Sequence, residues 1–181
     1  MSQHLLVTLF CPDRTGLVAA VAGRLFDLGA NLGDTTFAVL GTAAEFSAVC
    51  EAPDDVPAEE IRAALAALPE AADARIEVRP FGLDPVADPS GRVTHRVYVR
   101  GGDRPGLVAR MAEVFGQYEA NIVRMSAEHV PDLAGGQYVV RFDVAVPPGA
   151  EDRCLNTAAN TAGELHLTCH VEPIDRLQPA Q

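Results

Sequence analysis

The chain has 181 residues, of which 48% are hydrophobic, and a formal net charge of −11. This charge argues against direct binding to duplex DNA, because phosphate neutralisation requires clustered Lys and Arg side chains. The apolar runs are too short to span a membrane, no secretory signal is expected, and the four cysteines form no C-x-x-C pair, so we expect a cytoplasmic protein with reduced thiols.

One stretch of the sequence occurs twice, ninety residues apart. Residues 11–31 read CPDRTGLVAAVAGRLFDLGAN, and residues 101–121 read GGDRPGLVARMAEVFGQYEAN. Nine of the nineteen positions from Asp13 to Asn31 are identical in the second copy. A repeat at a fixed offset predicts two copies of one structural unit, and a unit of that length is large enough to have its own core.

The first copy has an apolar pattern that predicts the order β-α-β-β-α-β, which is the ferredoxin-like unit. The period changes from that of a strand to that of a helix at Thr15, and Gly29 ends this helix. The predicted elements are a strand at 4–10, a helix at 15–28, strands at 31–40 and 45–51, a helix at 57–68 and a strand at 74–79. Five apolar residues of the first helix are predicted to face inward: Leu17, Val18, Val21, Leu25 and Leu28.

The second copy repeats this order. Its predicted elements are a strand at 94–100, a helix at 105–119, a hairpin of strands at 121–130 and 137–146 around a tip at 131–136, a helix at 150–162 and a strand at 164–172. The last helix is predicted by analogy with the first copy, because its Asn and Thr residues favour helices poorly. The predicted domains are therefore 1–80 and 94–173, with a linker at 81–93 and a tail at 174–181.

The repeated loop carries groups that suit a zwitterion. A sharp turn into a helix leaves the first helical amides unpaired, and these amides attract a small anion such as a carboxylate. Gly16 leaves room for a ligand near the backbone, Asp13 could receive an ammonium group, and Asn31 offers both donors and an acceptor at the start of the next strand, which we expect beside the first strand. A purely structural interpretation stays open, because Asp caps helices and Gly and Asn serve turns.

The chain resembles a tandem pair of ACT domains over nearly its whole length. The resemblance rests on the β-α-β-β-α-β order, on D-R-x-G-L-V in the first loop, and on A-N-[LI] at the second strand. The run 29–34, followed by Val39, Leu40 and Gly41, resembles the glycine cleavage system transcriptional repressor group. The first loop also resembles the N-terminal ACT domain of formyltetrahydrofolate deformylase, whose hydrolase domain has no room in this chain.

This resemblance implies an α+β fold of two tandem ferredoxin-like domains with antiparallel sheets. It also implies a regulatory protein that binds a small amino acid, such as glycine or serine, between paired ACT domains of a homodimer or of one chain. The partner it implies is a protein such as a transcription activator rather than DNA. By motif match, the binding residues are Asp13, Thr15, Gly16, Leu17, Asn31, Asp103, Pro105, Gly106, Leu107 and Asn121.

Two differences between the copies leave open whether both bind a ligand. Thr15 stands where the second copy has Pro105, and Asp34 where it has Arg124. A constitutive scaffold or a detached regulatory subunit of a metabolic enzyme is the alternative. An enzyme is the least favoured interpretation, because no paired carboxylates, phosphate loop or zinc pattern is present. No catalytic residue, cofactor or metal is therefore predicted. His166 and His170 lie four residues apart on a predicted strand, about 13 Å, too far for one ion.

Overall fold

The protein is described from a computed structural model that covers residues 2–85, 91–131 and 137–174. The chain divides into two compact units, Met1–Val86 and Ala87–Gln181. Residues 86–90 of the predicted linker, 132–136 of the predicted hairpin tip and 175–181 of the predicted tail lie outside the described residues. The predicted domain boundaries remain predictions.

The first unit is one four-stranded antiparallel sheet with its helices packed on one face. Its elements are β1 (Ser2–Pro12), α1 (Leu17–Asp27), β2 (Asn31–Leu40), β3 (Ala43–Pro53), α2 (Ala58–Ala66), a short 3-10 helix (Pro69–Ala71) and β4 (Arg75–Pro80). The strands follow the order β2-β3-β1-β4. The predicted ferredoxin-like order is confirmed.

The second unit repeats this arrangement. Its elements are β5 (His95–Gly101), α3 (Leu107–Gln117), β6 (Asn121–Val130), β7 (Gln137–Ala145), α4 (Glu151–Glu164) and β8 (Thr168–Pro173). The strand order is β6-β7-β5-β8. The fold class predicted from the sequence, α+β with two tandem ferredoxin-like antiparallel sheets, is thus confirmed.

Buried and more exposed residues alternate along the central strands, and the buried residues form each core. In β1, every second residue from Leu5 to Cys11 is buried, and these side chains meet α1 through Leu17, Val21 and Leu25. The predicted inward face of α1 is wrong at one position, because Val18 is 40% exposed.

The last helix forms where it was predicted by analogy with the first copy, and the last strand begins later than predicted. Cys154, Ala158 and Ala162 form a buried stripe with helical spacing on α4, so tertiary packing outweighs the weak propensity of its polar residues. The helix ends at Glu164, two residues beyond its predicted end. His166, which we expected on the last strand, lies in the turn before it with a φ of 60°.

Strands β2 and β6 each form one edge of a sheet and pair on one side only, with β3 and β7 respectively. Nearly every residue of β2 is exposed, including Phe37, Val39 and Leu40. A bulge interrupts β2 after Leu32, where a Cβ on Gly33 would lie 3.0 Å from the backbone oxygen of Val49. Long exposed edges of this kind are templates for pairing with another strand.

The buried thiols make the stability of the fold sensitive to alkaline pH. Burial raises the pKa of the Cys50 thiol from 9.0 to about 11, and burial also raises the pKa of Cys11, Cys154 and Cys169. Between pH 9 and pH 11 the Cys50 thiol keeps its proton in the folded protein and loses it in the unfolded chain. The free energy of unfolding should therefore fall as pH rises over this range.

Urea titrations at several alkaline pH values measure this dependence. In Cys50→Ala the decline should be shallower, because one titrating thiol is absent. An identical fall of the free energy of unfolding with pH in both proteins would contradict the raised pKa of Cys50.

The helices among the described residues are too short or too polar to cross a membrane.

Candidate functional site

The repeated loop is a type II β-turn that leads into a helix. The amide of Leu17 donates to the carbonyl of Arg14 at 3.2 Å, and Gly16, the third turn residue, has φ 91° and ψ −7°. In the second unit Leu107 donates to Arg104 at 3.1 Å, and Gly106 has φ 85° and ψ −1°. A positive φ at the third position only, with this hydrogen bond, defines type II and favours glycine there.

The turn type explains the difference between Thr15 and Pro105. Both residues occupy the second position of the turn, where type II geometry favours proline. Proline fixes φ at this position through its own ring. The difference therefore has a conformational explanation, independent of ligand choice.

Gly16 and Gly23 lie at the start and in the middle of the same helical segment and should respond oppositely to alanine. A Cβ at either position meets nothing within 4 Å, so only backbone conformation distinguishes them. Gly16→Ala should lower the free energy of unfolding by about 1–2 kcal/mol because of its positive φ. Gly23→Ala should raise it by about 0.5–1 kcal/mol because alanine favours helices. Urea denaturation measures both, and equal signs would contradict this explanation.

Asp13 does not cap the helix, contrary to one interpretation of the sequence. No side-chain cap bond occurs at the start of α1. The Asp13 side chain is exposed, while its amide donates to the carbonyl of Thr42 at 2.9 Å. Within the described residues, the amides of Val18 and Ala19 donate to no backbone acceptor, so they remain available to an anion.

An open groove of about 570 Å³ lies between this turn, α1 and the edge strand β2. One wall is apolar, and the other carries the turn with its acid. Its lining residues are Asp13, Arg14, Thr15, Gly16, Leu17, Val18, Ala19, Ala22, Phe37 and Val39. The groove explains why Val18 is exposed. Four of the five predicted first-copy residues line it: Asp13, Thr15, Gly16 and Leu17. The Leu17 side chain is buried in the core.

Asn31 lies at the end of the unit opposite the repeated turn, and our expectation that β2 runs beside β1 is wrong. Strand β3 separates the two, and Asn31 is in register with Glu51, which pairs with His4 at the start of β1. Asp13 follows the end of β1, nine residues from His4 and therefore about 30 Å away along the strand. Asp13 and Asn31 cannot contact one ligand within one unit.

The second unit differs at the corresponding groove. The counterparts of Phe37 and Val39 are Ala127 and His129, which lie on β6. His129 Nε2 lies 3.7 Å from Asp103 Oδ2, and its ring packs on Tyr138 with centroids 4.8 Å apart. The predicted residues Asp103, Pro105 and Gly106 are exposed, Leu107 is buried, and Asn121 begins β6. The acid of this loop therefore lies beside a histidine side chain of its own unit.

Sequence reasoning missed the walls of the groove. Phe37 and Val39 look like ordinary strand residues, and only their alternation on β2 could have indicated a shared face. Arg14 was also passed over, although it belongs to the repeated D-R-x-G motif. Among the described residues, no cluster of three or more potential metal ligands occurs.

Residues 3–79 match the family model of the ACT domain. This match covers the sheet and helices of the first unit, and the predicted resemblance to ACT domains is confirmed there. No curated protein matches the chain in sequence.

Solved structures extend the likeness in fold to the whole chain. A crystal structure of an unknown protein from Galdieria sulphuraria is 21% identical, with a TM-score of 0.74 over 96% of this chain and 99% of that one. A protein assigned provisionally as a glycine cleavage system transcriptional repressor is 18% identical, with a TM-score of 0.67 over 96% of this chain and 98% of that one. A formyltetrahydrofolate deformylase from Pseudomonas putida is 23% identical over 41% of this chain and 28% of its own, with a TM-score of 0.38.

Proposed function

We propose that this protein, whose first unit is an ACT domain and whose second unit repeats that fold, is a non-catalytic regulator. It binds a small amino acid where two ACT units pair along their sheet edges, and it passes the bound state to a protein partner. The observation that carries the proposal is the position of Asn31 at one end of an exposed edge strand and of the groove at the other end.

Antiparallel pairing of two such edges would complete the site. If two copies of β2 pair about their middle, Asn31 of one strand lies opposite Leu40 of the other. The groove opens beside this end of β2, since Phe37 and Val39 line it. The bulge after Leu32 reorients Asn31 relative to the rest of its strand, as bulges commonly do for residues at a site. Each pairing would then form two equivalent sites.

The groups in each completed site suit the two ends of an amino acid. The available amides of Val18 and Ala19, at the positive end of α1, would hold the carboxylate. The exposed carboxylate of Asp13 would receive the ammonium group, and the Asn31 amide can serve either end. Glycine and serine are the first ligands to test. The apolar wall formed by Val18, Phe37 and Val39 also favours small aliphatic side chains.

A protein partner, rather than DNA, fits the net charge of −11. The resemblance of the sequence to the glycine cleavage system transcriptional repressor group suggests that the partner is a transcription activator and that the pathway is glycine metabolism.

Calorimetry against the twenty amino acids tests ligand binding directly. For any amino acid that binds, Asn31→Ala should weaken the affinity about tenfold to a hundredfold, because loss of hydrogen bonds to a charged group costs about 1.5–3 kcal/mol. Asn160→Ala, on the exposed face of α4, is the matched control and should leave the affinity unchanged.

Two results would contradict the proposal. One is the absence of any binding by all twenty amino acids. The other is equal affinity in the Asn31 and Asn160 variants. The first result would favour a constitutive scaffold, an alternative supported by the turn geometry, which by itself accounts for Gly16 and Gly106.

A further inference from the structure

Arg14 is the second residue of the repeated D-R-x-G motif, and its side chain contacts backbone carbonyl groups outside the turn. Its guanidinium donates to the carbonyl oxygen of Ala72 at 2.6 Å and to that of Glu70 at 3.2 Å. Both carbonyls lie at the end of the 3-10 helix that follows α2. Basic side chains commonly satisfy carbonyls at such helix ends.

These contacts hold the first residue of the turn in place. The carbonyl of Arg14 accepts the hydrogen bond from the Leu17 amide, so Arg14 is the first of the four turn residues. An ion pair to Asp73 at 3.6 Å adds little, because the Asp73 side chain is 84% exposed. The two hydrogen bonds to carbonyl groups therefore hold the Arg14 side chain in place.

The second unit lacks this attachment. Arg104 is exposed, and no hydrogen bond or ion pair of its side chain occurs among the described residues. Asp73, two residues before β4 with a φ of 64°, corresponds to His166, two residues before β8 with a φ of 60°. A histidine there offers no anion to an arginine. Instead, the second unit has Pro105 at the position whose φ its ring fixes.

We propose that Arg14 is the positioning residue of the first unit's turn, where it supplies through two hydrogen bonds the order that Pro105 supplies covalently in the second unit. The importance of this order for ligand binding rests on the proposed function. The ordering itself is a property of the ligand-free protein and is tested without any ligand.

Amide hydrogen exchange by NMR in the ligand-free full chain is the measurement. Arg14→Ala should speed exchange of the Leu17 amide about tenfold, because about one net charge-assisted hydrogen bond is lost. The Leu107 amide and the amides of α2 should exchange as before. The matched control is Arg104→Ala, which should change neither turn. Asp73→Ala should change exchange at Leu17 by less than about twofold.

Rescue by proline separates positioning from a general loss of structure. Thr15→Pro added to Arg14→Ala should return exchange at Leu17 to the wild-type rate, because the same turn accepts proline at Pro105. Conversely, Pro105→Thr should speed exchange of the Leu107 amide, because no arginine side chain holds this turn in place. If Arg14→Ala unfolds the unit, Arg14→Lys takes its place in the test. Lysine keeps the charge with fewer donors, so the Leu17 amide should exchange at a rate between the wild-type rate and the roughly tenfold faster rate.

The proposal is overturned if Arg14→Ala leaves exchange at Leu17 unchanged, if it speeds exchange equally in α2 and β4, or if Thr15→Pro fails to restore it. Amino-acid binding by these variants is a separate measurement. A chain that binds no amino acid but shows these exchange rates refutes the proposed function and leaves the role of Arg14 standing.

Discussion

Phe46→Ala should lower the free energy of unfolding of the first unit by about 3–5 kcal/mol and leave the second unit unchanged. Phe46 is 1% exposed and packs among the buried residues of β1 and α1. The buried clusters of the two units share no residue. If the predicted domains are independent, removing this ring affects only the cluster that contains it.

The composition of the chain provides a selective probe. Its three tyrosines, Tyr98, Tyr118 and Tyr138, all belong to the second unit, and tryptophan is absent. Tyrosine fluorescence in a urea titration therefore follows the second unit alone, whereas far-UV circular dichroism follows both. Phe46→Ala should move a circular dichroism transition and leave the fluorescence transition in place.

Phe142→Ala is the matched control in the second unit. Phe142 is fully buried and packs edge-on against Phe115 with centroids 5.4 Å apart. Phe142→Ala should move the fluorescence transition by about as much as Phe46→Ala moves the circular dichroism transition. If Phe46→Ala moves the fluorescence transition as far as Phe142→Ala does, the two units unfold together and the division into independent domains is wrong.

Thr36→Lys should weaken the proposed pairing of two copies of β2 about a hundredfold. Thr36 lies near the middle of the edge strand, is exposed, and is outside the residues that line the groove. In a symmetric antiparallel pair, two lysines would come close to each other across the interface. Like charges so placed cost several kcal/mol, and lysine on an edge strand is a common barrier to pairing.

Analytical ultracentrifugation measures this change. Thr42→Lys adds the same charge in the turn between β2 and β3 and should leave self-association unchanged. Amino-acid binding should be lost together with pairing in Thr36→Lys, although no groove residue is altered. A monomeric wild-type protein, or a Thr36→Lys protein that pairs and binds normally, would contradict pairing through this edge.

The sequence by itself determined the architecture. The repeat at an offset of ninety residues and the change from strand to helix periodicity at Thr15 predicted two β-α-β-β-α-β units, because alternation and helical spacing are local properties. It also located the turn, since Gly16 and Gly106 have the positive φ that a type II turn requires.

Only the tertiary structure decided what lies near the turn. Strand order is not local, and β3 lies between β1 and β2. Because β1 and β2 both run antiparallel to β3, they are parallel to each other, so Asn31 at the start of β2 lies about 30 Å from Asp13 after the end of β1. The same order exposes β2 at an edge and brings Phe37 and Val39 to the groove. The attachment of Arg14 to Glu70 and Ala72 joins residues 56 and 58 positions apart, which no local pattern in the sequence indicates.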